Sequence, residues 1–162
     1  MTLAVEVLYA TRRPGVPPRA RLAEWARAAA GRHASGAELA IRIVTPAESR
    51  RLNRRYRGAD RPTNVLSFAG DWRRAARRGR APQGCSLGDL AICASVVARE
   101  ARAHRKAARA HWAHMVVHGT LHLLGYDHGR ASDAARMERR ERTILARLGF
   151  ADPYAASQGR GY

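Results

Sequence analysis

The stretch from His111 to Leu124 constrains the fold more than any other part of the chain. Wound as a helix at about 100° per residue, it places His111, His114, His118 and His122 within an arc of roughly 80°. Trp112, Val116, Val117, Leu121, Leu123 and Leu124 take the remaining sides. A helix that is apolar nearly all round belongs in the interior, so the other elements must be arranged about it. Buried imidazoles also need partners, because an unpaired polar group in apolar surroundings costs free energy.

The surrounding elements are legible from period and punctuation. Residues 3–9 (LAVEVLY), 38–44 (ELAIRIV), 64–68 (NVLSF) and 87–93 (LGDLAIC) read as strands. Residues 19–31 read as a helix ended near Gly31. Thr45-Pro46-Ala47-Glu48 is a capping box with Pro at the first helical position, so a second helix runs from there to about Tyr56. Further helices are predicted from Ser95 to about Arg105, over His111–Leu124, and from Ser132 to Leu148, where Gly149 stops the last one. Residues 70–85 are rich in Arg, Ala and Gly, lack periodicity, and read as an exposed loop. The order predicts one α+β domain over residues 1–154, with about four strands in a mixed sheet and about five helices. A loose tail is expected over 155–162.

Composition limits the functional classes. The chain has 162 residues with 46% hydrophobic and 27% charged, enough for a packed core. Its formal net charge of +17 argues against an acidic interaction module and points to a polyanion, nucleic acid before an anionic membrane. Of the 30 basic residues only Lys106 is lysine, which a GC-rich genome would also produce. No apolar run approaches the roughly 18 residues of a spanning helix. The N-terminus has no charged region before its apolar stretch and does not read as a signal peptide. Cys85 and Cys93 form no CxxC pair, which fits a reducing, cytoplasmic compartment.

The chemistry is carried by His118-Gly-Thr-Leu-His122-Leu-Leu-Gly125-Tyr-Asp-His128. His118 and His122 are one helical turn apart on one face, where they can share a metal. Gly125 lets the helix end and the chain turn back, so that His128 arrives as a third nitrogen. Three protein ligands with an open position is the arrangement of a catalytic zinc, one per chain. The same three nitrogens would also take nickel, copper or cobalt. The alternative is a row of satisfied core or surface histidines. His114 and Asp127 are candidates for orienting the ligands, with a structural histidine and a turn-forming Asp as the competing readings. The spacing is shared with metzincin metalloproteases, which carry Glu directly after the first His as general base. Here that residue is Gly119, which argues against proteolysis.

Three ordered blocks resemble the YbeY family of bacterial metal-dependent endoribonucleases of ribosomal RNA maturation. They are His118–His128, Leu52-Asn53-Arg-Arg-Tyr56-Arg57-Gly58-Ala-Asp60-Arg-Pro62-Thr63-Asn64-Val65-Leu66-Ser67-Phe68, and Leu87-Gly88-Asp89-Leu90-Ala91-Ile92-Cys93. With Met137-Glu138 and Leu148-Gly149-Phe150, the resemblance runs from about residue 45 to 154. It implies a small α+β fold, zinc on the three histidines, and single-stranded ribosomal RNA as substrate. It also implies a role in 16S 3′-end maturation and ribosome quality control, with the small ribosomal subunit and its assembly factors as partners. Arg57 matches the family's functionally important arginine. A planar, permanently charged guanidinium suits the charge that gathers on a phosphate during cleavage. Asp60, Asn64, Ser67 and Asp89 read as framework residues. No residue is an obvious general base, so the nucleophile is either a metal-activated water or the RNA 2′-hydroxyl.

One segment departs from the family pattern. Asp71-Trp72-Arg73-Arg74-Ala-Ala-Arg77-Arg78-Gly79-Arg80 is longer and more basic than is usual there. Arg73, Arg74, Arg77 and Arg78 could grip phosphates, and Trp72 could stack a base. A solvated insertion is the competing reading. Two other functions remain in view: a metal-dependent hydrolase of another class, and an assembly factor that binds ribosomal RNA around a structural metal.

Overall fold

A computed structural model describes residues 2–80 and 83–155. The tail expected over 155–162 lies outside them except for Ala155. Four strands, β1 (Ala4–Tyr9), β2 (Glu38–Val44), β3 (Val65–Ala69) and β4 (Ser86–Cys93), form one sheet in the order β1-β2-β4-β3. β1, β2 and β4 are parallel, and β3 runs antiparallel to β4. The helices are α1 (Arg19–Ala30), α2 (Pro46–Arg57), α3 (Trp72–Arg77), α4 (Ala94–Ala103), α5 (Ala108–Leu124) and α6 (Ala131–Arg147). A single 3-10 turn, Arg32–Ala34, follows α1.

Alternation along β2 sorts its side chains between two cores. Leu39, Ile41 and Ile43 enter the main core, whereas Arg42 is exposed and Val44 joins a smaller cluster with Leu66, Ala91, Cys93 and Val96. The main core lies between the sheet and α1, α5 and α6. As expected, α5 is the central helix: Trp112, Val116, Val117, Leu121 and Leu123 are all buried. Its neighbours are α1, α4, α6, β3 and β4.

α2 begins as its sequence predicts, with Thr45 Oγ1 accepting from the Glu48 amide at 3.3 Å. Such a cap contributes about 1 kcal/mol. The Glu48 carboxylate pairs with Arg51 at 3.0 Å and Arg42 at 3.6 Å. The inner side of α2 holds two buried polar residues that lash down the loop after it. Ser49 Oγ accepts from the Thr63 amide at 3.0 Å, and Asn53 Nδ2 donates to the Arg61 carbonyl at 2.8 Å. Gly58, left-handed at φ 71°, ends the helix directly after Arg57. Arg57 is therefore held at a defined helix end.

The segment 70–85 corrects the loop reading. Residues Trp72–Arg77 form the short helix α3, and Trp72 is 8% exposed within the main core. Asp71 Oδ1 accepts from the Ser86 amide at 2.7 Å and ties the segment to β4. Six residues are too few to show a period, so burial of the indole leaves no trace in the sequence pattern. Trp72 has no free face on which a base could stack.

Gly119 explains how closely α5 approaches the sheet. A Cβ there would stand 2.8 Å from Leu90 Cδ2 and 3.2 Å from Val65 Cγ2. Position 119 thus faces the sheet and has no room for an acidic side chain. Gly119→Ala is expected to destabilise the chain by about 1–3 kcal/mol, the usual cost of overpacking. Gly119→Glu should cost more and confer no peptidase activity. Thermal unfolding and a casein digest check both outcomes.

Candidate metal centre and basic cleft

The end of α5 is built by a local backbone motif. The Gly125 amide donates to the His122 carbonyl at 3.0 Å, and the Tyr126 amide donates to the Leu121 carbonyl at 3.0 Å. This is the Schellman pattern, with Gly125 at φ 110°. The reversed chain then brings His128 back over the last turn of the helix. Asp127 Oδ1 accepts from the His128 amide at 2.7 Å, so Asp127 fixes the turn that carries His128.

His118, His122 and His128 converge as their spacing predicts. One nitrogen from each lies within 4.8 Å of the others, a grouping that could hold a metal ion. Their ring centroids are 4.7 Å (His118–His122), 4.9 Å (His122–His128) and 5.6 Å (His118–His128) apart. Burial, then the neighbouring His118 and His128, push the pKa of His122 down to about 4. His122 is therefore neutral at pH 7, with a lone pair available for a cation. The donor set is all nitrogen and suits a borderline metal such as zinc.

The three imidazoles line a cleft of about 460 Å³ together with Arg57, Asn64 and Ser67. Arg57 is the arginine of that lining. Its Nη2 donates to the Ser67 carbonyl at 2.9 Å and its Nη1 to the Tyr56 carbonyl at 3.3 Å. The guanidinium lies 5.7 Å from the Phe68 ring centre. Among the described residues no carboxylate pairs with it, and none lines the cleft. By contrast Arg50 is committed to Asp60 at 2.8 Å. Ser67 Oγ donates to the Gly119 carbonyl, and Asn64 Nδ2 to Glu100, so both belong to the framework. Asp89 is exposed on β4 and lies outside this cleft's lining.

α3 borders this region. The Arg73 guanidinium would lie 3.3–3.4 Å from a Cβ at Gly125, so it rests on the turn that ends α5. Arg74, Arg77 and Arg78 reach outward from the same short segment.

His114 is not part of the three-imidazole group. It is buried, and its Nε2 meets Glu141 Oε2 at 2.5 Å. The sequence alone does not single out Glu141, which is one acidic residue among the charged positions of α6. Its only local signal is the helical spacing that puts it on the buried side with Met137, Ile144 and Leu145. It also contacts His118 Nδ1 at 3.4 Å. Burial alone would raise its pKa, but the hydrogen bonds from His114 and His118 outweigh this and bring it down to about 2. His114, His118 and Glu141 thus form a second close group, sharing one histidine with the first.

The fold and cleft define a class: a small α+β domain whose three-imidazole group could hold a metal beside an uncompensated arginine. Comparison with known proteins narrows the class. The family described as Endoribonuclease YbeY matches residues 19–149, and the chain belongs to that family. It is 53% identical over 160 residues to an Endoribonuclease YbeY of Alkalilimnicola ehrlichii, covering 94% of this chain and 91% of the relative. It is 50% identical over 147 residues to that of Bordetella pertussis, covering 86% and 88%. With that of Stenotrophomonas maltophilia it shares 49% over 157 residues, 96% of each chain. The solution structure of TM1509 from Thermotoga maritima shares the fold at TM-score 0.57 and 20% identity, covering 92% of this chain and 97% of that one. The chain is accordingly a nuclease acting on RNA. No helix among the described residues is long and apolar enough to cross a membrane.

Proposed function

We propose that this protein is a zinc-dependent, single-strand-specific endoribonuclease of ribosomal RNA processing, acting in 16S 3′-end maturation and ribosome quality control. It works in the cytoplasm, with the small ribosomal subunit and its assembly factors as partners. The observation that carries this reading is the shared cleft: three imidazoles and one acid-free arginine face the same space. His118, His122 and His128 would hold the zinc, which when bound supplies a Lewis acid for a phosphate or lowers the pKa of a water. Arg57 binds the scissile phosphate, because two of its donors are anchored on backbone carbonyls and the rest remain for an anion. Since no carboxylate lines the cleft among the described residues, no Asp or Glu there takes a proton from the nucleophile. A cleft of this volume is on the scale of a small-ligand pocket, which favours a splayed single strand over a duplex.

The test is cleavage of a labelled single-stranded ribosomal RNA fragment by zinc-loaded protein, with a duplex of the same sequence beside it. Metal-dependent cleavage of the single strand supports the reading. Tight binding without cleavage would favour an assembly factor with a structural metal. Peptide hydrolysis would favour a hydrolase of another class.

Arg73, Arg74, Arg77 and Arg78 extend the RNA path along α3. Replacing all four by Gln should weaken binding and flatten the salt dependence by about 0.7 in log–log slope for each phosphate no longer neutralised. Affinity and slope equal to those of the unaltered chain would remove α3 from the interface. A filter-binding series across salt concentrations decides this.

A further inference from the structure

Glu141 is 1% exposed on α6, outside the lining of the RNA cleft. A carboxylate is costly to bury unless its oxygens are met by donors. Both oxygens of Glu141 are met. Oε2 lies 2.5 Å from His114 Nε2 and 3.4 Å from His118 Nδ1. Oε1 accepts from the Tyr154 hydroxyl at 2.9 Å. Burial, and then the Glu141 charge, raise the pKa of Tyr154, so the phenol stays a donor. The segment carrying Tyr154 is itself tied down. Asp152 pairs with Arg142 at 3.1 Å, and the Pro153 carbonyl accepts from Lys106 Nζ at 2.8 Å.

A neutral imidazole carries one proton on two nitrogens. An ionised carboxylate at Nδ1 is satisfied only when that nitrogen holds the proton, which leaves the lone pair on Nε2. We propose that Glu141 is the positioning residue of the three-imidazole centre: it holds His118 as the Nδ1–H tautomer with Nε2 free for the metal, and Tyr154 and His114 hold Glu141 in turn. This rests on the metal reading of the centre given above. The alternative is a cation bound by His114, His118 and Glu141 themselves, which would displace the very protons that satisfy the carboxylate.

Two measurements on the full chain test this. In the metal-free protein, long-range proton–nitrogen correlation spectra read the His118 tautomer. Titration with zinc alone against a chromophoric chelator reads affinity, with thermal unfolding recorded for every variant. The unaltered chain should show His118 protonated at Nδ1. Glu141→Gln should lose the single tautomer and bind zinc about 10- to 100-fold more weakly. Glu141→Asp should recover part of that loss, and Tyr154→Phe should show a smaller loss of the same kind. If Glu141→Gln does not fold, Tyr154→Phe carries the test, because it loosens the carboxylate without touching His118. An unchanged tautomer and unchanged zinc affinity overturn the proposal. So does zinc binding that survives His122→Ala but not Glu141→Gln, which would place the ion on the second group. Failure of the unaltered chain to take up zinc overturns the metal reading and this proposal with it. Normal uptake with a tautomer independent of Glu141 overturns the proposal alone.

Discussion

Replacing His122 by alanine is expected to reduce RNA cleavage to background while the chain remains folded. His122 is one corner of the three-ring group, with the other centroids 4.7 Å and 4.9 Å away, and its removal leaves two nitrogens where three converge. Loss of a partner that merely orients a ligand costs 10- to 100-fold in metal affinity, so loss of the ligand itself should cost more than about 100-fold. The side chain is half-buried at the cleft wall, so its removal opens the cleft and spares the core. A strong chelator should have the same effect on the unaltered chain. Added zinc should restore the unaltered chain and not the variant. Undiminished cleavage by His122→Ala, from the same purification, would show that another nuclease or another site is responsible.

Arg57→Ala should lower the cleavage rate by about two to three orders of magnitude, the usual effect of removing one preorganised donor from developing charge. Zinc affinity should not change, since the hydrogen bonds of Arg57 go to the Tyr56 and Ser67 carbonyls. Binding of long RNA should weaken only slightly, because many other arginines remain on the surface. Arg57→Lys should rescue poorly. An ammonium keeps the charge but cannot bridge the Ser67 carbonyl and a phosphate through one rigid plane. Single-turnover rates at saturating RNA, with zinc content measured on each preparation, separate these outcomes. A variant with full rate and full metal content would remove Arg57 from the chemistry.

Local structure is the more legible part of this chain. Alternation predicts β2 over 38–44, and the strand occupies those residues; α2 starts at Pro46 as its cap requires. The reason is that alternation, capping and Gly punctuation act over a few residues, within reach of sequence pattern. α3 escapes the same approach, because its structure depends on a distant contact: Trp72 packs into a core assembled by α1, α5 and the sheet. The basic character of 70–85 is plain in the sequence, but its indole belongs to the interior and not to solvent.

The sequence by itself determined the convergence of His118, His122 and His128. One helical turn and one left-handed glycine suffice for that, and both are short-range. It also determined that α5 is central, because no other position satisfies a helix apolar on nearly every side. Only the tertiary structure decided the rest of the cleft. Among 29 arginines the motif resemblance alone marks Arg57; its place beside the imidazoles with no acid partner comes from the fold. Gly119 reads as a missing base in the sequence and is, in the fold, the point where α5 meets Leu90 and Val65. Glu141 lies among the many charges of α6 until packing brings it under His118. Each of these depends on which elements the sheet order makes neighbours. That order follows from the mutual burial of whole faces, a long-range property that no window of residues contains.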